Sequence, residues 1–152
     1  MQIGIDNLEG AEIAGFLQEH IDDMRSVSPP ESKHALDLEG LKIPEITFWT
    51  VYDKGQLVGC CALKELDAQE GEIKSMRSRA SSRGRGIGKF MLSHIVQEAK
   101  RRDYRRLCLE TGSMDFFIPA RRLYQKFGFV KCPPFAGYSL DPNSVFMHLY
   151  LI

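Results

Sequence analysis

Three alternating glycines within six residues, Arg83-Gly84-Arg85-Gly86-Ile87-Gly88, constrain this chain more than any other stretch. They follow a run of strand-like residues and open an amphipathic helix. Glycine lacks a Cβ, so the backbone can turn with positive φ and a ligand can come close. The first amides of a helix have no intrahelical partner and carry a partial positive charge. Strand, glycine turn and helix start together make a cradle for phosphate. Arg83, Arg85 and Lys89 add side-chain donors. Two other phosphate motifs fit worse. The dinucleotide fingerprint is G-x-G-x-x-G, whereas this run reads G-x-G-x-G. A P-loop needs Gly where Arg83 stands and Ser or Thr where Phe90 stands.

Around this turn the patterning alternates strand and helix. Ile3 and Ile5 read as a short strand. Leu8, Ile13, Phe16, Leu17, Ile21 and Met24 trace a helical stripe over 7–25. The prolines at 29 and 30 break it, and a short helical turn is expected over 34–41. Residues 46–52 and 57–66 are two strands joined by Asp53-Lys54-Gly55-Gln56. A third strand spans 70–78. A helix follows over 87–102, with Ile87, Phe90, Met91, Ile95 and Ala99 on one face. A strand at 106–110, a helix at 119–126, a strand from Phe129 and a last strand at 145–151 complete the order β-α-α-β-β-β-α-β-α-β-β. That order predicts an α/β fold, with antiparallel hairpins first and a crossover helix later. At 152 residues the chain is expected to form one domain over 1–152.

Charge is balanced in total, with 20 basic and 20 acidic side chains, but not along the chain. Residues 1–73 carry 15 acids and 5 bases (−10), residues 74–106 carry 2 acids and 11 bases (+9), and the remainder carries 3 and 4 (+1). A concentrated basic segment attracts anions. Nucleic acid is an unfavoured partner, because single-strand binding needs stacking rings among the bases. The only aromatic residues between Lys74 and Arg106 are Phe90, on the apolar helix face, and Tyr104. No apolar run is long enough for a membrane span and the first residues lack a basic leader, so a cytoplasmic protein without membrane contact is expected. Cys60, Cys61, Cys108 and Cys132 form no C-x-x-C pair, which points to reduced thiols and no metal.

These motifs resemble the GCN5-related N-acetyltransferase (GNAT) superfamily. Arg83, Gly86 and Gly88 meet its [Arg/Gln]-x-x-Gly-x-[Gly/Ala] signature. Glu72 to Arg77 resembles the strand before it, and Leu123-Tyr124-Gln125-Lys126-Phe127-Gly128-Phe129 resembles its later Leu-Tyr-x-Lys-x-Gly-Phe motif. The spacing matches over 46–132. The resemblance implies a mixed, mostly antiparallel central sheet flanked by helices, and acetyl-CoA as co-substrate. It implies that backbone amides of Arg83, Gly84, Arg85, Gly86, Ile87 and Gly88, with Lys89 beside them, hold the pyrophosphate. The strand edge at Met76, Arg77 and Ser78 would bond the pantetheine arm. Two departures stand out. Ser78-Arg79-Ala80 replaces the frequent Val-x-Pro, and Phe117 occupies a position where many members carry Asn.

Acetyl transfer to nitrogen needs a neutral amine, and an aliphatic ammonium has a pKa of about 10.4, so a base must take its proton. Glu72 on the signature strand is the candidate base; a strand glutamate held only in a salt bridge is the other reading. A backbone N–H near Met76 would stabilise the oxygen that gathers negative charge. Tyr124, by its family position, would protonate the departing thiolate. No acyl-enzyme is implied. The acidic first half favours a cationic acceptor, either a small amine or a protein lysine. A catalytically silent acetyl-CoA sensor is the alternative. The last strand, if exposed, offers an edge for a homodimer.

Overall fold

The computed structural model describes residues 1–27 and 38–151. Seven strands form one sheet: β1 (Gln2–Ile5), β2 (Ile46–Asp53), β3 (Gln56–Asp67), β4 (Glu70–Ser78), β5 (Arg106–Gly112), β6 (Val130–Lys131) and β7 (Ser144–Tyr150). Their spatial order is β1-β2-β3-β4-β5-β7-β6. Every neighbouring pair is antiparallel except β4–β5. A parallel pair cannot be closed by a tight turn, and helix α2 (Ile87–Arg101) makes the crossover. Helix α1 (Ala11–Val27) precedes β2, and α3 (Ile118–Lys126) follows β5. The mixed, mostly antiparallel sheet with flanking helices is the expected fold.

Alternation along the strands divides the core into two faces. Cys61 and Leu63 of β3, Ile73 of β4 and Leu107 and Leu109 of β5 pack with Met91, Leu92 and Ile95 of α2. Cys60 and Ala62 turn the other way and meet Ile13, Phe16 and Leu17 of α1. Beyond α1, Cys108, Phe135 and Phe146 continue that second face. Trp49 is core, and all four cysteines are free thiols, three of them buried.

Several boundaries differ from expectation for physical reasons. Helix α1 starts at Ala11 rather than residue 7, because Asp6 Oδ1 and Asn7 Oδ1 accept the amides of Leu8 (2.7 Å) and Glu9 (3.0 Å). Such turns compete with helix. The helical turn expected over 34–41 lies largely outside the described residues; Gly40–Lys42 forms a single 3-10 turn. The strand begun at Phe129 has only two residues, Val130 and Lys131. The last strand is not an exposed edge. It lies between β5 and β6, pairing Arg106↔Tyr150 through Gly112↔Ser144 on one side and Val130↔His148 on the other. The edge foreseen for a homodimer is therefore already flanked.

One irregularity positions everything that follows. Opposite β3, Ala62 faces Lys74 and Cys60 faces Arg77, so Ser75 and Met76 share the span of Cys61. Ser75 takes φ 52°, and its carbonyl accepts the Cys60 thiol at 3.3 Å. This is a β-bulge, which bends a strand and re-aims its side chains. On the other edge, β4 pairs with β5 only from Glu70↔Arg106 to Ile73↔Leu109. Past that point the two strands part. Residues 74–78 stay with β3 and residues 110–112 stay with β7.

Candidate active site

The parting of β4 and β5 opens a cleft of about 110 Å³. Glu72, Lys74 and Met76 line it from β4, Glu110 and Thr111 from β5, His20 and Met24 from α1, and Phe117 and Tyr124 from the far side; Tyr138 closes it. Glu72 is 2% exposed. Its Oε2 accepts the Tyr138 hydroxyl at 2.7 Å and the Lys74 ammonium at 3.1 Å, and Lys74 Nζ also donates to the Tyr138 oxygen at 2.9 Å. A buried charge needs such partners. Burial, with Glu72 beside it, pushes the Tyr138 phenol far above its ordinary range.

Tyr124 is buried against Phe129, with ring centroids 5.8 Å apart, and burial raises its pKa well above 10. It is therefore a neutral phenol at physiological pH. His20 goes the other way. Burial first, then the neighbouring Arg77 guanidinium, lowers it to about 4, so it is an uncharged imidazole at neutral pH. Phe117 reaches the cleft because β5 ends in Gly112. A Cβ there would lie 2.2 Å from the Phe117 ring.

The free edge of β4 leads from this cleft to the glycine turn. Gly84 and Gly86 take φ 83° and 80°, values that L side chains rarely adopt. Nothing lies within 4 Å of where a Cβ would stand on either. Gly86 caps α2, and the first intrahelical bond is Phe90 N to Gly86 O at 3.0 Å. The amides of Ile87, Gly88 and Lys89 precede that bond and have no intrahelical acceptor. This open, amide-lined cup at a helix start suits a pyrophosphate. Gly88 itself packs closely, its Cβ position falling 3.0 Å from Leu123.

The side chains of the turn are less available than the charge count implied. Arg85 pairs with Asp53 at 3.1 Å, and Ile87 is core. Arg77 is buried against α1, where it pairs with Asp23 at 2.8 Å and Glu19 at 3.8 Å. Only its backbone stays on the strand edge beside Met76 and Ser78. Glu70 takes Arg106 at 2.8 Å, and Glu98 takes Arg102 at 2.8 Å. Arg85–Asp53, Arg77–Asp23 and Arg106–Glu70 join the acidic block to the basic one, whereas Glu98–Arg102 lies within the basic block. Among the described residues Arg83 and Lys89 have no ion pair, and Arg83 stands 5.9 Å over the Phe116 ring.

Of the residues foreseen from sequence, Glu72, Met76 and Tyr124 share one cleft, and residues 83–89 form the cup at its side. Lys74, His20 and the contact of Tyr138 with Glu72 were not foreseen. Lys74 had a usable signal, since a residue two along a strand shares a face with Glu72.

Comparison with known proteins decides the family. The Acetyltransferase (GNAT) family profile matches residues 13–129. The chain belongs to the GNAT family. This GNAT protein is 56% identical over 147 residues to an uncharacterised N-acetyltransferase, YsnE, of Bacillus subtilis (strain 168), covering 97% of each chain. It is 45% identical over 149 residues to an uncharacterised N-acetyltransferase, YedL, of Escherichia coli (strain K12), covering 98% of this chain and 94% of that one. A candidate acyl-CoA N-acyltransferase from Klebsiella pneumoniae superimposes with a TM-score of 0.80 at 25% identity, over 99% of this chain and 97% of the other. It is accordingly an acetyl-CoA-dependent N-acetyltransferase. Among its described residues no helix is long and apolar enough to cross a membrane.

Proposed function

We propose that this enzyme transfers acetyl directly from acetyl-CoA to a primary amine of a small cationic molecule or of a lysine side chain, in the cleft between β4 and β5. The observation that carries the reading is the parting of those strands, which puts Glu72 and Tyr124 on the walls of one pocket and leaves the edge of β4 running to the α2 cup. Acetyl-CoA, when bound, supplies an acetyl thioester. The amides of residues 84–89 hold its pyrophosphate, aided by Arg83 and Lys89, and the backbone of Met76, Arg77 and Ser78 aligns its arm. Glu72 takes the proton of the amine, directly or through water, and frees the nitrogen lone pair. The Met76 amide faces the oxygen that gathers charge. Tyr124 gives its phenolic proton to the departing sulfur. Burial keeps the Tyr124 phenol protonated and also disfavours a bare thiolate beside it, which favours delivery of a proton to the sulfur.

No thiol of the protein enters this scheme. Burial pushes Cys61 and Cys108 up to about 12, which leaves them protonated. Two carboxylates, Glu72 and Glu110, line the cleft against one ammonium, Lys74, and His20 is neutral. The two acidic side chains in that lining support a cationic acceptor. Thiol release from acetyl-CoA across spermidine, kanamycin, a blocked lysine peptide, glutamine and glutamate tests the reading. Release is expected with one or more of the first three. Release only with glutamine or glutamate overturns the acceptor class. Coenzyme binding with no release from any amine would favour the silent sensor.

A further inference from the structure

We infer that Lys74 and Tyr138 are positioning residues for Glu72: both donate to its Oε2 and so leave Oε1 as the oxygen that receives the acceptor's proton. The inference rests on Glu72 being the proton acceptor proposed above. Tyr138 lies 64 residues from Lys74 in sequence and is brought to it by a built turn. Its amide donates to Phe135 O at 2.9 Å, and Ala136 and Gly137 take φ 48° and 83°. Phe135 and Phe146 back its ring at centroid distances of 5.3 and 5.5 Å. The phenol spends its one proton on Glu72 Oε2, while its oxygen accepts from Lys74. The ammonium sends another proton to the same Oε2. Both donors therefore meet on one carboxylate oxygen, and Oε1 carries no hydrogen bond from a described residue. During transfer one proton leaves the acceptor ammonium for Oε1 and frees the lone pair. As the C–N bond forms and the thioester C–S bond breaks, the sulfur leaves with the Tyr124 proton, and the second nitrogen proton restores that phenol, so no further reactant is required.

The other titratable groups around the cleft do not substitute for this pair. His20 from α1 is neutral above about pH 5, with Arg77 behind it. Tyr124 from the α3 side remains a phenol. Glu110 from β5 is an acidic side chain and cannot supply the cation that Lys74 brings to Glu72.

The test is a carbon-13 carboxyl NMR titration of Glu72 in the ligand-free protein, which needs no acceptor. Loss of a neighbouring cation makes a buried carboxylate harder to ionise. The Glu72 midpoint is expected to rise by at least about one pH unit in Lys74→Met. It should rise less in Tyr138→Phe and return toward wild type in Lys74→Arg. Tyr138→Phe keeps the ring packing and stays readable even if Lys74→Met unfolds. Midpoints unmoved in the folded variants overturn the inference. The two readings fail separately. A Glu72→Gln enzyme with full kcat in the amine panel removes Glu72 as base. An inactive Glu72→Gln enzyme with unmoved titrations removes only the positioning role.

Discussion

At the scale of single residues, the cleft holds two phenols with different neighbours, and that difference separates their work. Tyr138 is hydrogen-bonded into a charged triangle, whereas Tyr124 meets Phe129 and carries no hydrogen bond from its hydroxyl to a described residue. Tyr124→Phe removes one proton donor and no packing. It is expected to lower kcat roughly 100-fold or more, as loss of a general acid does. The KM for acetyl-CoA should stay within about twofold. Steady-state kinetics at saturating amine check this, and an unchanged kcat removes Tyr124 from the role. His20 gives a second residue-scale prediction. Its folded pKa lies near 4 against 6.5 for an ordinary histidine. Between those values the unfolded chain binds a proton that the native one does not, so stability falls as pH drops from 6.5 to 4. The loss is on the order of 3 kcal/mol at full effect. Urea unfolding at pH 7 and pH 4.5 should show it in wild type and show less of it in His20→Gln. The candidates Glu72 and Tyr124 could be read from the sequence because each sits in a short local motif. Lys74–Tyr138 could not, because no local pattern encodes which loop will fold back onto a strand.

At the scale of elements, the glycine turn and the bulge make an instructive pair. The turn was legible because only glycine takes φ near 80° readily at two positions so close together. The bulge was not. Ser75 adopts φ 52° without glycine, in a stretch that reads as an unbroken strand. Its presence follows from how β4 must follow β3 while leaving β5, which is a property of the sheet. The turn also yields a test. Gly86→Glu puts a carboxylate into the cup, and Gly86→Ala imposes the backbone strain alone, about 1–2 kcal/mol. Calorimetry should find coenzyme affinity abolished by Glu and retained to a measurable degree by Ala, with both proteins folded by circular dichroism. Equal affinities in the two variants would place the pyrophosphate elsewhere.

At the scale of the whole molecule, element order was readable from periodicity, because each helix and strand buries a recurrent apolar face. Part of the charge asymmetry along the chain is internal to the fold. Arg77 and Asp23 lie far apart in sequence yet meet at 2.8 Å, so a count along the chain mistakes an internal ion pair for two surface fields. Coenzyme binding should therefore depend weakly on salt. Raising NaCl from about 50 to about 500 mM is expected to weaken acetyl-CoA binding less than about tenfold. A loss of 100-fold or more would show that a broad cationic surface steers the ligand after all. The insertion of β7 between β5 and β6 has its own consequence during synthesis. One side of the candidate cleft is built on β5, whose outer edge is completed by a strand made almost last. Until that segment emerges from the ribosome, β6 has no partner and the wall bearing Glu110 and Thr111 is unsupported. A chain ending before Ser144 would lack the one strand that pairs with both β5 and β6, so the cleft wall on β5 would lose its backbone partner.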